Sequence, residues 1–535
     1  MKREHVLRAA FGFLVLVIGA SWGGRARGAD VFPPSAKLVE DHPRVMLRPK
    51  ATPHATSLKQ LEGLERDAEF KKVLGRLRGD RSAAAQAMVW LLTGDDGAAQ
   101  KAIQRMRTYK APGKPDAFDV WFRLREFGLA YDWLHGHSAF TEEAKAAVRR
   151  NAAPLVKAGI RIGDDHVFHN YVWMTNSGMA LWALAAAGDD PAADRLLRTV
   201  QARFNDRLCP AMEYQNGLPG DALGYWYHYC LSPFAWAMLG IGSAFETDVA
   251  AVIEEHQNDW LERQLEGLVL STLPDMRFIP WGDMQRASDG GVTHQIAGPV
   301  DAITRATESP AGAWFGRWLA EKRGVNRFFR DHGLFYFLVT RHLDVKPAEP
   351  PLAMRAGGAH SGHALMRSSW KDDATIVGLR CTDHYSGHDH YDQGTFFIYR
   401  NGPLALDAGT YDKYNGPQLR TDAHNTLLLG GKGQRKVRAT WFKDLAAYRK
   451  NLDGGRRLEQ GGMPFFKHAG PWTAAACEFA HAYPPGTVRR CARQLLFVRP
   501  GTVVVVDNLV AAEGKKVPEA AWLLQVPARA PEVRE

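Results

Sequence analysis

Lys346-Pro347-Ala348-Glu349-Pro350-Pro351 divides this chain into two regions of different periodicity. Proline lacks an amide donor and clashes with the preceding turn, so three prolines in six residues read as a linker. A length of 535 residues predicts two or three domains, and 45% hydrophobic residues is ordinary for a globular protein. From about residue 55 to 345 the pattern is helical. Ala83 to Leu92 is one apolar helix, ended by Thr93-Gly94-Asp95-Asp96. Thr141-Glu142-Glu143 opens another as a capped start. Met179 to Ala187 is nearly all apolar and stops at Gly188-Asp189-Asp190-Pro191; segments 192–206, 222–243 and 247–270 continue the series. Successive helices with short turns pack as antiparallel hairpins, and many such pairs give a bundle, a superhelix or a closed ring. No strict internal repeat is present, which weakens the open superhelix.

Beyond about residue 352 the pattern becomes β. Ala374 to Leu379 is a short strand, and Thr395–Arg400 and Pro403–Asp407 flank the hairpin pair Asn401-Gly402. Thr426–Leu429 is a further strand, and Gln494–Val498 and Thr502–Val506 pair around Pro500-Gly501. These strands predict a sandwich of antiparallel sheets. The chain ends soon after strand-like Ala521 to Val526, and a complete sandwich would need more strands, so a truncated C-terminus is expected.

The N-terminus reads as a secretory signal. Lys2, Arg3 and Arg8 precede an apolar run from Ala9 to Ala20, and Ala26-Arg27-Gly28-Ala29 is a cleavage zone. The run is short for a membrane span, with an uncleaved anchor as the alternative, and no other apolar stretch reaches spanning length. A periplasmic or secreted protein is therefore expected. Removing residues 1–28 takes away five Lys/Arg and one Glu, which lowers the formal charge from +10 to +6. A basic exported protein favours an acidic polysaccharide as partner over nucleic acid. The five cysteines are scattered and form no disulfide framework, although Cys477 and Cys491 could pair across a hairpin. The sixteen Trp and fifteen Tyr suit carbohydrate binding and large helical cores equally. Oligomeric state is not legible.

Imidazoles and carboxylates concentrate in Gly387-His388-Asp389-His390-Tyr391-Asp392-Gln393-Gly394, followed by Asp407 and His424. On an extended chain His388, His390 and Asp392 share one face. A His-x-His pair on a strand is a common metal-ligand pattern, but a polar loop with a capping imidazole explains the pair equally well. Asp407 and His424 shift that balance toward a metal. A hairpin turning at Asn401-Gly402 places Asp407 opposite Phe396, roughly 20 Å along a straight strand from His390. The chain before Gly394 must therefore bend back, or Asp407 must arrive from another strand. In the helical region His169-Asn170-Tyr171 and the aromatic run Tyr225-Trp226-Tyr227-His228-Tyr229 stand out, each also explicable as a cap or as core. Arg420, Arg435 and Arg438 are candidate anion contacts, or a solvated basic hairpin.

Together, Gly387 to Asp392, Asp407-Ala408-Gly409-Thr410-Tyr411, Ala423-His424-Asn425-Thr426-Leu427 and Ile279-Pro280-Trp281-Gly282-Asp283 resemble the heparinase II/III-like polysaccharide lyases, with the related alginate lyases and dermatan sulfate epimerase. After the signal at 1–28, the resemblance implies an incomplete (α/α) toroid at 29–348 and an antiparallel β-sandwich at 349–535, with substrate in the cleft between them. It implies β-elimination at a uronic acid, with Tyr225 as acid and also a candidate base. Asn170 would bind the carboxylate, and His388 would assist its neutralisation. His390, Asp407 and His424 match the family's metal ligands, for zinc or another divalent ion in a structural role. Tyr171, Arg420, Arg435 and Tyr411 are the expected substrate contacts. The chain departs from the family in two places. Some members carry a base His directly after the Asn, where this chain has Tyr171; His169 precedes it instead, so the base is His169, Tyr171 or Tyr225 itself. Asp221 replaces a Glu of the family's usual Glu-Gly-x-x-Tyr, with Tyr227 and Tyr229 as rivals to Tyr225. A uronate C5-epimerase, a toroid glycoside hydrolase using Asp221 and Asp283, and a non-catalytic polysaccharide-binding protein are the competing readings.

Overall fold

The computed structural model describes residues 30–33, 37–52, 55–62, 68–217, 222–283, 294–323, 333–357, 362–407, 416–437, 442–452 and 458–527. The expected signal at 1–28 and the residues Asp221, Tyr411 and Arg438 lie outside these.

Helices occupy the first region, and their ends are capped by side chains and by glycine. Ser82 accepts from the Ala85 amide to start Ala83–Thr93, and Gly94 ends that helix in the left-handed conformation. Thr141 caps Glu142–Ile162 by accepting from Ala144. The apolar stretch near 179 belongs to a longer helix, Asn170–Ala186, whose N-cap is His169. That helix is buried on almost every side, between Ala117–Trp133 and Ser232–Phe245, which explains its lack of a polar face. The segment 247–270 is two helices rather than one. Val249–His256 and Trp260–Ser271 are separated where Asn258 and Asp259 take φ of 53° and 50°. The last helix, Gly333–Leu338, packs against Ala68–Gly79 near the start, with the Phe70 and Phe337 rings edge to face at 5.4 Å. The helical series thus curves back on itself as a toroid. Among the described residues no single helix is long and apolar enough to cross a membrane.

The second region is built of antiparallel sheets. Strands β1 (Ala353–Ala356), β2 (Gly362–Arg367), β3 (Ile376–Cys381), β4 (Phe396–Tyr399) and β5 (Pro403–Ala405) form a meander in chain order. β6 (Leu427–Leu429) pairs with a late strand, Ala520–Trp522. Four further strands, β7 (Gly462–Ala469), β8 (Trp472–Glu478), β9 (Val488–Val498) and β10 (Thr502–Ala511), form the other large sheet. The period of two divides β3 between two cores. Val377, Leu379 and Cys381 pack with Ala475, Cys491 and Phe497 of the second sheet, while Ile376 joins the core shared with the helices. The meander is therefore the middle layer of the molecule, and all six residues of β3 are buried. All five cysteines are buried thiols outside any disulfide among the described residues. Cys477 lies opposite Arg493 rather than Cys491, so the register does not align the expected pair.

Candidate active site

The loop between β3 and β4 carries the His-rich sequence, and it is not extended. Residues 386–395 run through bends and turns, so the predicted common face of His388, His390 and Asp392 does not exist. The organiser is Arg380, a fully buried residue on β3 that the sequence reading did not single out. Its guanidinium meets Asp389 at 2.6 Å and Asp392 at 2.5 Å. Burial opposes this charge, but Asp392 and Asp389 more than offset it and raise the Arg380 pKa. Asp389 also accepts from the Tyr385 and Ser386 amides, at 2.6 and 3.1 Å, which closes the loop. At its far end Gly394 adopts φ 77°, and a Cβ there would lie 2.6 Å from the Phe479 ring.

This bend is how the loop reaches the hairpin. Ile398 faces Ala405, and continuing that register puts Asp407 across from Phe396, as the turn predicts. Because the chain folds back before Gly394, His390 returns to Asp407 despite the separation along the strand. Ligand atoms of His390, Asp407 and His424 all lie within 4.8 Å of one another, and all three residues are buried. His424 Nδ1 is 3.1 Å from Asp407 Oδ1, and Thr395 donates to the other carboxylate oxygen at 3.3 Å. Burial would raise the Asp407 pKa, but His424, His390 and Arg380 hold it below the usual carboxylate value. His424 shifts the other way: burial disfavours its charge, yet Asp407 raises its pKa.

Asp283 ties this cluster to the helical region. Its two carboxylate oxygens accept from His388 Nδ1 at 3.2 Å and His390 Nε2 at 3.0 Å. Its backbone amide donates to the His388 carbonyl at 3.0 Å. Burial pushes the Asp283 pKa up, but the two imidazoles hold it below the usual range. The preceding Gly282 has φ 73°, and a Cβ there would sit 2.9 Å from both Ala222 Cα and the His388 carbonyl. Only glycine lets the loop approach so closely. The sequence flagged Ile279 to Asp283 as a loop, but nothing in its spacing reveals that Asp283 bridges both histidines.

The donor set tests whether a metal fits. With Nε2–H given to Asp283, His390 presents a bare Nδ1; with Nδ1–H given to Asp407, His424 presents a bare Nε2. Both bare nitrogens are buried without a hydrogen-bond partner among the described residues. Two unpartnered imidazole nitrogens beside a carboxylate suit zinc or a similar borderline divalent ion. Asp283 stands where an outer carboxylate would orient His390 if that residue held a metal.

The helical region brings the remaining candidates to the same place. The Tyr225 ring stacks on His388, with centroids 4.1 Å apart and 16° between planes. Tyr227, a rival, is buried against Phe278, and Tyr229 lies 6.0 Å from Tyr225. The His169 ring is 5.6 Å from His388, while its Nδ1 accepts from the Tyr171 amide at 3.2 Å. It is therefore both the predicted cap and a lining residue. Burial, with His388 and His166 nearby, pushes its pKa down to about 3. Next to it Asn170 is fully buried, and neither side-chain amide atom has a hydrogen-bond partner among the described residues. An orphaned buried amide is costly and points to a ligand. The expected arginines are engaged elsewhere. Arg420 is largely exposed and pairs with Asp422. Arg435 donates to the carbonyls of His481 and Glu459, both at 2.6 Å.

Comparison with known proteins agrees with this architecture. Residues 350–533 match the family model described as Heparinase II/III-like, C-terminal. A helical toroid followed by such a domain is also the fold of solved heparin lyases. The heparinase III BT4657 gene product is 16% identical, with a TM-score of 0.52, covering 84% of this chain and 66% of its own. The heparan sulfate lyase HepC from Pedobacter heparinus is 14% identical, with a TM-score of 0.51, covering 87% of this chain and 66% of its own. The chain thus spans about two thirds of the length of these structures. A search of curated protein sequences returns no significant match.

Proposed function

We propose that this chain is a polysaccharide lyase, exported and acting on a uronic-acid-containing acidic polysaccharide by β-elimination. One observation carries the reading: Tyr225 and His169 from the toroid meet His388 from the β-sandwich, and Asn170, next in the chain to His169, holds a buried amide with no hydrogen-bond partner among the described residues. The C5 proton of a uronate is weakly acidic, because its removal builds charge on the adjoining carboxylate. A donor aimed at that group stabilises the developing enolate-like state. Asn170 supplies the amide, and His388, held by Asp283, supplies an imidazole.

A base must remove the proton, and an acid must protonate the leaving O4. With its Nδ1 accepting from the Tyr171 amide, the neutral His169 carries its proton on Nε2 and is a donor there, so Tyr225, as phenolate, is the group that takes the C5 proton. Tyr225 is buried, and its phenol can give its proton to the leaving oxygen. His390, Asp407 and His424 would hold the metal, zinc by donor type, whose chemistry when bound is to add fixed positive charge behind His388. Asp283 then fixes the tautomers of His388 and His390 together. The match of residues 350–533 to the heparinase II/III-like family supports the same reading.

The test is incubation with heparan sulfate, chondroitin, hyaluronan, alginate and polygalacturonate, followed by ultraviolet absorbance of the 4,5-unsaturated product. New reducing ends without that absorbance would mean hydrolysis. Deuterium uptake at C5 without cleavage would mean epimerisation, and binding alone a non-catalytic protein.

A further inference from the structure

The candidate site is enclosed by a closed circuit of aromatic side chains. Starting at His388, the rings run to Tyr225, Tyr229, Phe118, Tyr171 and His169, and return to His388. Successive centroids are 4.1, 6.0, 5.4, 5.8, 4.8 and 5.6 Å apart. Three of these residues belong to the chemistry proposed above. The others do not, and they lead outward. Phe118 stands near the start of the helix Ala117–Trp133, and one turn later Phe122 stacks beside it at 6.4 Å and 20°. Phe122 is 42% exposed and Tyr171 is 40% exposed. A lone exposed aromatic residue is unremarkable. Here the two exposed rings are joined through Phe118 to the buried rings of Tyr225 and His388.

We infer that Phe118, Phe122, Tyr171 and Tyr229 form a sugar-binding subsite for the pyranose adjoining the reacting uronate. This rests on the lyase reading for its orientation. A pyranose presents an apolar face of C–H groups, which stacks on the electron-rich face of an aromatic ring. Phenylalanine contributes that face without a hydrogen-bonding group, so Phe118 and Phe122 recognise the shape of the sugar ring rather than its substituents. The ligand class is a polymer of uronic acid and neutral or amino sugar, gripped at two adjacent rings. One sits over Tyr225 and His388, and the other lies along the aromatic rim. Continuity with the buried site selects this occupant over a protein partner.

The experiment uses the full chain and separates binding from catalysis. Affinity electrophoresis is run in gels containing heparan sulfate, chondroitin, hyaluronan, alginate or polygalacturonate, with the wild type, Phe122→Ala, Phe122→Leu, Phe122→Trp and Tyr171→Ala. At least one polymer should retard the wild type. Phe122→Ala and Tyr171→Ala should weaken that retardation about tenfold, the size of one lost stacking contact. Phe122→Trp should preserve it, and Phe122→Leu should not. On a polymer that is eliminated, Phe122→Ala should raise KM about tenfold, with a smaller change in kcat. Wild-type retardation and KM in both alanine variants would overturn the subsite while leaving the lyase reading intact. Retardation that depends on Phe122, on a polymer that is never eliminated, would uphold the subsite and sink the lyase reading. Equal retardation of Phe122→Leu and wild type, or no retardation of the wild type by any polymer, would overturn the subsite.

Discussion

At the scale of single residues, a few buried groups carry the proposed chemistry. Tyr225→Phe removes one hydroxyl from a ring already packed on His388, so the fold should survive and elimination should vanish. Retained absorbance of unsaturated product would remove Tyr225 from the mechanism. Asp283→Ala strips a partner from each of two imidazoles. Loss of such an outer carboxylate lowers metal affinity about 10- to 100-fold. Elemental analysis after dialysis should therefore find zinc retained by the wild type and depleted in Asp283→Ala and His390→Ala. Equal stoichiometric metal in all three would refute the assignment. His384 predicts a pH effect. Burial pushes its pKa down to about 3. Above pH 6.5 its ring is neutral folded and unfolded, so nothing changes there. Between 6.5 and 3 the unfolded chain takes up a proton that the folded chain refuses. Stability therefore falls with pH, by about 3 kcal/mol at pH 4. Denaturant titrations at several pH values should show a shallower acid slope for His384→Phe, and an unchanged slope would exclude His384 as the cause.

At the scale of elements, the loop from Thr382 to Thr395 holds the site because Arg380 anchors it from below. The alternation of β3 points Arg380 away from the sandwich core, and Asp389 and Asp392 close over it. Arg380→Ala would leave two buried carboxylates unpaired, costing on the order of 3–5 kcal/mol. Thermal unfolding should show a markedly lower Tm, whereas a Tm within a degree or two of wild type would mean that the loop has another anchor. Much at this scale was legible in the sequence. Gly94 marked the end of the helix Ala83–Thr93, Thr141 the start of Glu142–Ile162, and Asn401-Gly402 the hairpin register that places Asp407. The break at Asn258-Asp259 was not legible, because the apolar period runs through it. The loop's shape was hidden too. It depends on a buried guanidinium whose partners lie 9 and 12 residues away, and period-two reading has no term for that. The split of the site between His390 and His388 came from family resemblance, while the orphaned Asn170 amide needs coordinates to be seen.

At the scale of the molecule, the two regions are joined by specific contacts as well as apolar burial. His166 Nε2 donates to the Tyr385 carbonyl at 2.7 Å, and the Phe442 amide donates to its Nδ1 at 3.2 Å. Lys443 pairs with Asp164, and Trp281 is buried beside His363 at 5.0 Å. The core shared by the helices and the meander is continuous. Calorimetry should therefore record a single cooperative transition, and His166→Ala should lower its midpoint. Two separated transitions in the wild type would show that the interface is weaker than its contacts indicate.

The loop ending in Asp283 gives this interface a second meaning. A single carboxylate from the first region grips two imidazoles of the second, at a glycine with no room to retreat. The site therefore behaves as a coincidence detector. It exists only while both regions are folded and seated, and neither can assemble it in advance. A slight parting of the regions would break both imidazole contacts at once.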